Sequence, residues 1–237
     1  MMWHAKHSKP MDLPTSWQQL PNGQDYCNAL SQYFANWLPN ILGYQVLKIG
    51  GLSGEILLDL PMRHQLIISP KISNNLTALC DQSDISMVQS KITELPLIEK
   101  SIDACFLINT LNFTEDPHQV LREINRVITD SGLLFISLFN PINPLYKPIF
   151  AYSSPYKFKL RRYLTCRVID WLELLNFEIL GCEKLSISSH RKATWFAPLI
   201  VIVAQKRTCP LTLQPAKIHF KQTGMFTPEA AFKEINQ

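Results

Sequence analysis

The order of strand-like and helix-like segments constrains this chain more than any single motif does. Five short runs rich in β-branched and aromatic residues, 45–49, 65–68, 87–89, 104–108 and 133–139, are separated by helical stripes or loops. Two further runs, 177–185 and 199–205, follow with no helical stripe between them. Strands joined by a crossover lie parallel, whereas two joined directly pair antiparallel. The expected fold class is therefore α/β: a doubly wound, Rossmann-like, mostly parallel seven-stranded sheet closed by a C-terminal antiparallel hairpin. Right-handed crossovers then place the ligand crevice at the carboxyl ends of the first and fourth strands.

The helices are read from apolar spacing. Tyr26, Leu30, Tyr33, Phe34, Trp37 and Leu38 form one stripe that Pro39 stops. A short helix capped by Ser53 is expected through Ile56, Leu57 and Leu60, and another over Ile72, Leu76 and Leu79. Asp116-Pro117 opens the best-marked helix, because Asp accepts from orphan N–H groups and Pro lacks an N–H that the first turn would leave unpaired. Val120, Leu121, Ile124, Val127 and Ile128 line its face, and Asp130-Ser131-Gly132 ends it. A last stripe, Val168, Ile169, Leu172 and Leu175, is expected to be capped by Thr165 and closed by Asn176.

These elements predict one domain over residues 21–206, with a flexible segment at 1–20 and a loose basic tail at 207–237. The basic N-terminus has no apolar run behind it, so no secretory signal is read. The longest apolar runs, 133–139 and 196–204, fall short of the roughly 20 residues a membrane helix needs. A cytoplasmic protein is expected, its six thiols mostly packed in the core. No Cys-x-x-Cys pair occurs, and no metal site is expected.

A net charge of +4 with 18% charged residues does not by itself mark a nucleic-acid binder. Its distribution says more. Between Ser131 and Ile169 there is no Asp or Glu, while Lys147, Lys157, Lys159, Arg161, Arg162 and Arg167 occur there beside Tyr146, Tyr152, Tyr156 and Tyr163. This basic segment, 147–167, suits a small anionic acceptor, RNA or a lipid headgroup; a solvated surface loop is the plainer alternative. Oligomeric state is not legible.

From Leu95 to Ser137 the sequence runs Leu95-Pro96, Ile102-Asp103-Ala104, Asp116-Pro117, Leu121-Arg122-Glu123 and Asp130-Ser131-Gly132 before an apolar strand. That order resembles the central region of class I S-adenosylmethionine (SAM) methyltransferases of the type 11 group. Farther on, Phe139-Asn140-Pro141-Ile142-Asn143-Pro144 and Asp170-Trp171-Leu172-Glu173 are similar to the YafS-type bacterial methyltransferase-like proteins. The resemblance implies SAM as cofactor and leaves the methyl acceptor unnamed.

It also implies where SAM would lie. Gly50 and Gly54 match the outer glycines of the family's loop, with Leu52 in place of the middle one. Gly50, Gly51 and Leu52 would meet the methionine part. Ser69 stands where an acid normally accepts from the ribose, Lys91 replaces the adenine-side Asp beside Ile92, and Lys48 replaces the acid of the first strand. Asn109 and Asn112 fall near the donor methyl, with turn-forming asparagine as the plainer role of each. His118 is read as a solvated helix residue, and no catalytic acid or base is assigned. Two functions follow: a SAM-dependent methyltransferase working by positioning the acceptor, or a catalytically silent relative acting as a binding or scaffold module, as the three replaced acids suggest.

Overall fold

The strands form where alternation puts apolar side chains on both faces of a sheet that helices cover. A computed structural model describes residues 11–59, 63–79, 84–143, 158–187 and 195–207. Its strands are β1 (Gln45–Ile49), β2 (His64–Ser69), β3 (Ile85–Gln89), β4 (Ile102–Ile108), β5 (Ile128–Phe139), β6 (Phe177–Leu185) and β7 (Leu199–Lys206). They make one seven-stranded sheet in the order β3-β2-β1-β4-β5-β7-β6. The first five run parallel, and β7 pairs antiparallel with both β5 and β6. The α/β class and the closing hairpin are as expected.

The helices are α1 (Gly23–Ala35), α2 (Gly51–Gly54), α3 (Asn74–Leu79), α4 (Pro117–Val127) and α5 (Thr165–Leu174). One core layer joins Leu47, Ile49, Cys105, Leu107 and Leu134 to Ile124 of α4 and Leu172 of α5. The other joins Val46, Phe106 and Phe135 to Leu30 and Phe34 of α1. There Phe106 and Phe135 stack at 4.5 Å, and Phe34 meets them edge-on at 5.6 and 5.5 Å. Such geometry suits the ring quadrupoles.

Several local expectations are corrected. The helix after β1 spans only Gly51–Gly54, before Ile56, and its N-cap is Gly50; Ser53 lies within it, its Oγ donating to the Ile49 carbonyl at 2.6 Å and accepting from Ile108 N–H at 2.9 Å. Strand β5 begins at Ile128, five residues before the expected start; Ser131 takes a left-handed φ of 66° inside it instead of ending a helix. The residue capping α5 is Leu164, with no side-chain cap bond; Thr165 lies inside the helix, and Leu175 is its C-cap. Asp116 does cap α4, accepting from Gln119 N–H at 3.0 Å.

Packing begins before residue 21, so the expected flexible lead-in is wrong from Met11 onward. Trp17 is buried with Tyr26 and Phe34, since its ring has a core to enter. Cys27 and Cys105 are buried, but Cys166 and Cys182 are exposed, on α5 and the edge strand β6. The tail 208–237 and residues 144–157 of the basic segment lie outside the described residues. No helix among the described residues is long and apolar enough to cross a membrane.

Candidate functional site

The site is built at the carboxyl ends of β1, β2 and β4. Gly50 leaves β1 with φ 87°, a conformation that costs a side chain dearly, and its N–H donates to Ile68 of β2 at 2.8 Å. Thr110 Oγ1 donates to the Ile49 carbonyl at 2.8 Å. With the Ser53 bonds, this staples the ends of β1 and β4 beneath the loop.

Residues 11–17 then lie across that edge as a strap. Met11 N–H donates to Glu115 Oε1 at 3.0 Å, and Lys71 Nζ reaches Asp12 at 2.8 Å. A Cβ on residue 51 would stand 2.5 Å from the Thr15 carbonyl oxygen, so glycine there permits the strap's approach. Trp17 Nε1 donates to the Leu52 carbonyl at 2.9 Å, and Glu55 accepts from Trp17 N–H at 2.8 Å and Ser16 Oγ at 3.1 Å. Leu52, at the family's middle-glycine position, turns its side chain into the α1-side core.

Between the strap and the sheet edge is a cavity of about 350 Å³, lined by Met11, Leu13, Pro70, Lys91, Ile92, Thr93, Thr114 and Glu115. Of the expected site residues, Lys91 and Ile92 line it. Gly50, Gly51 and Leu52 lie beneath the strap. Ser69 is buried at the end of β2 and donates to the Lys71 carbonyl at 2.7 Å, beside the lining residue Pro70.

Asn109 and Asn112 are buried and serve the framework. Asn109, with φ 51°, accepts from Ser137 Oγ, and its Nδ2 is buried without a hydrogen-bond partner. Asn112 accepts from Phe139 N–H at 3.1 Å and donates to the Arg161 carbonyl at 2.7 Å. Arg161 N–H returns a bond to the Asn112 carbonyl at 2.8 Å, and its Nη1 donates to the Glu115 carbonyl at 2.7 Å. The basic connector is thus pinned to the end of β5 and to the cavity wall.

His118, expected to be solvated, is half-buried on α4. Its ring packs 4.3 Å from Trp171, and desolvation there, aided by nearby Arg122, Arg161 and Arg167 against Asp116, lowers its pKa. Lys48 is 2% exposed and donates to the Ile56 carbonyl at 2.7 Å; burial lowers its pKa to about 8. It faces α1 from within the sheet, away from the cavity-lining residues. Sequence reading missed the strap, Glu55 and Glu115. The available signal was the apolar spacing of Leu13, Trp17 and Leu20.

A family model described as "Methyltransferase domain" matches residues 47–136. The chain is 36% identical over 229 residues to the uncharacterized protein YafS of Escherichia coli K12, covering 90% of this chain and 89% of that one. Among solved structures it resembles a chain from the complex between the Haloferax volcanii Trm112 methyltransferase activator and a methyltransferase, with TM-score 0.63, 15% identity, and 79% and 92% of the two chains covered. It also resembles the [4+2]-cyclase SpnF, with TM-score 0.59, 18% identity, and 88% of each chain covered. An S-adenosylmethionine-dependent methyltransferase from Mesorhizobium loti matches with TM-score 0.55, 14% identity, and 75% and 97% covered. These structural likenesses establish the fold, and a cyclase among them illustrates that one fold hosts different reactions.

Proposed function

This chain belongs to the class I SAM-dependent methyltransferase family, and from that premise we propose that it binds SAM and transfers its methyl group to an anionic acceptor. The observation that carries the reading is the cavity at the carboxyl edge, bounded by the segments after β2, β3 and β4. Its volume lies within the range of small-molecule sites. The residues present fit the nucleoside half of SAM: Ile92 offers an apolar wall for the base, and Glu115 puts a carboxylate among the lining groups.

In this reading the bound cofactor supplies a methyl group activated by its sulfonium. Ile92 and Lys91 border the adenine, Ser69 and Pro70 lie at the ribose, and Gly50 to Leu52 set the loop toward which the methionine part extends. The strap excludes water from the nucleoside. Asn109 and Asn112 act through the framework, holding the end of β4 and the basic connector. The chain contributes position: an acceptor nucleophile held in line with the methyl needs no dedicated acid–base triad.

Isothermal titration with SAM and with its demethylated product tests this. Binding of both ligands is expected. No heat with millimolar SAM would overturn the proposal. The second reading, a catalytically silent binding module, is favoured by Ser69, Lys91 and Lys48 standing in for three acids. Methylated product recovered from a cell extract with labelled SAM would exclude it.

A further inference from the structure

The strand register brings two connections to the same edge of the sheet. Leu199, the first residue of β7, pairs with both Phe139, the last of β5, and Leu185, the last of β6. The stretch after β5 therefore starts, and the link from β6 to β7 has both its ends, at the edge that holds the cavity. Asn140 ties them together, its Nδ2 donating to the Trp195 and Ala197 carbonyls at 3.0 and 2.7 Å.

Two properties meet there. Ile142, Leu164, Trp195 and Phe196 are exposed by 50%, 58%, 73% and 59%. Lys159 and Arg162 are exposed between them in sequence, and Lys184 Nζ sits 3.7 Å over the Trp195 ring. Across residues 140–164 and 186–198 the sequence has seven Lys and Arg and no acid, which exceeds the net +4 of the whole chain. The remainder of the sequence is thus net negative, and of the seven cations Lys159 and Arg162 are exposed among the described residues.

We propose that this edge docks on an anionic lipid bilayer, with Trp195, Phe196, Ile142 and Leu164 entering the interface and Lys159 and Arg162 meeting the headgroups. Exposed apolar side chains within a basic rim are the composition of interfacial binding. Single-stranded RNA would also use cations and aromatic rings, but Ile142 and Leu164 have no π-face for a base to stack on. Resting on the methyltransfer reading, the acceptor is a lipid-borne molecule that enters from the bilayer beside the cofactor crevice.

Vesicle flotation of the full chain tests the docking. Phosphatidylcholine vesicles with about a third phosphatidylglycerol are expected to carry the protein, and pure phosphatidylcholine to carry it at least tenfold less. The double variants Trp195→Ser with Phe196→Ser, and Lys159→Glu with Arg162→Glu, are each expected to cut partitioning by about tenfold, with circular dichroism unchanged. Docking is overturned by absence of flotation at low salt, by partitioning indifferent to both variants, or by binding to single-stranded RNA without binding to vesicles. SAM titration alongside separates the two claims. Heat without flotation removes only the docking, and flotation without heat removes only the methyltransfer reading.

Discussion

Two halves of the same sheet edge contrast sharply. Over β1 and β2 the chain closes on itself: strap, glycine loop and Glu55 are tied by short hydrogen bonds, and the exposed Lys71 is paired with Asp12. Over β5 and β7 the edge is held from below by Asn112 and Asn140, while its outer surface shows apolar side chains and cations. The comparison teaches that one half of the edge satisfies its polar groups by internal contacts, while the other leaves apolar side chains and cations exposed; in the proposed reading the first is the cofactor side and the second the acceptor side.

The largest test of the closed half is Trp17→Ala, which removes a buried ring and its bond to the Leu52 carbonyl. A loss of about 3–5 kcal/mol in denaturant unfolding is expected. A loss below 1 kcal/mol would mean that the strap is not part of the folded domain. On the other half, Asn112→Ala strands the Phe139 N–H and the Arg161 carbonyl, and should cost about 2–4 kcal/mol. Limited proteolysis should then cut first within the connector. Cleavage at the strap instead would reverse the assignment of regions.

Lys48, buried in β1 beneath the closed half, offers a pH test. Its pKa falls from 10.5 to about 8 on folding, so between those values the unfolded chain binds the extra proton and stability rises with pH. The stability advantage of Lys48→Met over the natural chain should therefore be greatest below pH 8. It should shrink by up to about 3 kcal/mol as pH approaches 10.5. A constant difference across that window would show that Lys48 keeps its ordinary pKa. The smallest effect is expected from Asp12→Asn, because both partners of the Lys71 pair are exposed. Its cost should stay within about 1 kcal/mol and vanish in high salt.

The sheet and its hairpin were readable because apolar periodicity is a local property: β6 was expected at 177–185 and is found there, and Asp116-Pro117 starts α4 as read. Of the residues read as a candidate site, Lys91 and Ile92 were legible because they follow a strand in a fixed order, and both line the cavity. Asn112 was read as a site residue, and only the neighbouring backbone of Phe139 and Arg161 reveals that its amide is used as a clamp.

By itself the sequence determined the order of strands and helices, the antiparallel end and the concentration of positive charge after β5, since each is written in residues adjacent along the chain. Tertiary structure alone decided that Gly51 accommodates Thr15, that Glu55 holds Trp17, that Lys48 is buried and that Trp195 stands exposed beside the β5 terminus. The physical reason is that such contacts join segments far apart in sequence. Their geometry exists only once the sheet has fixed the distance between them.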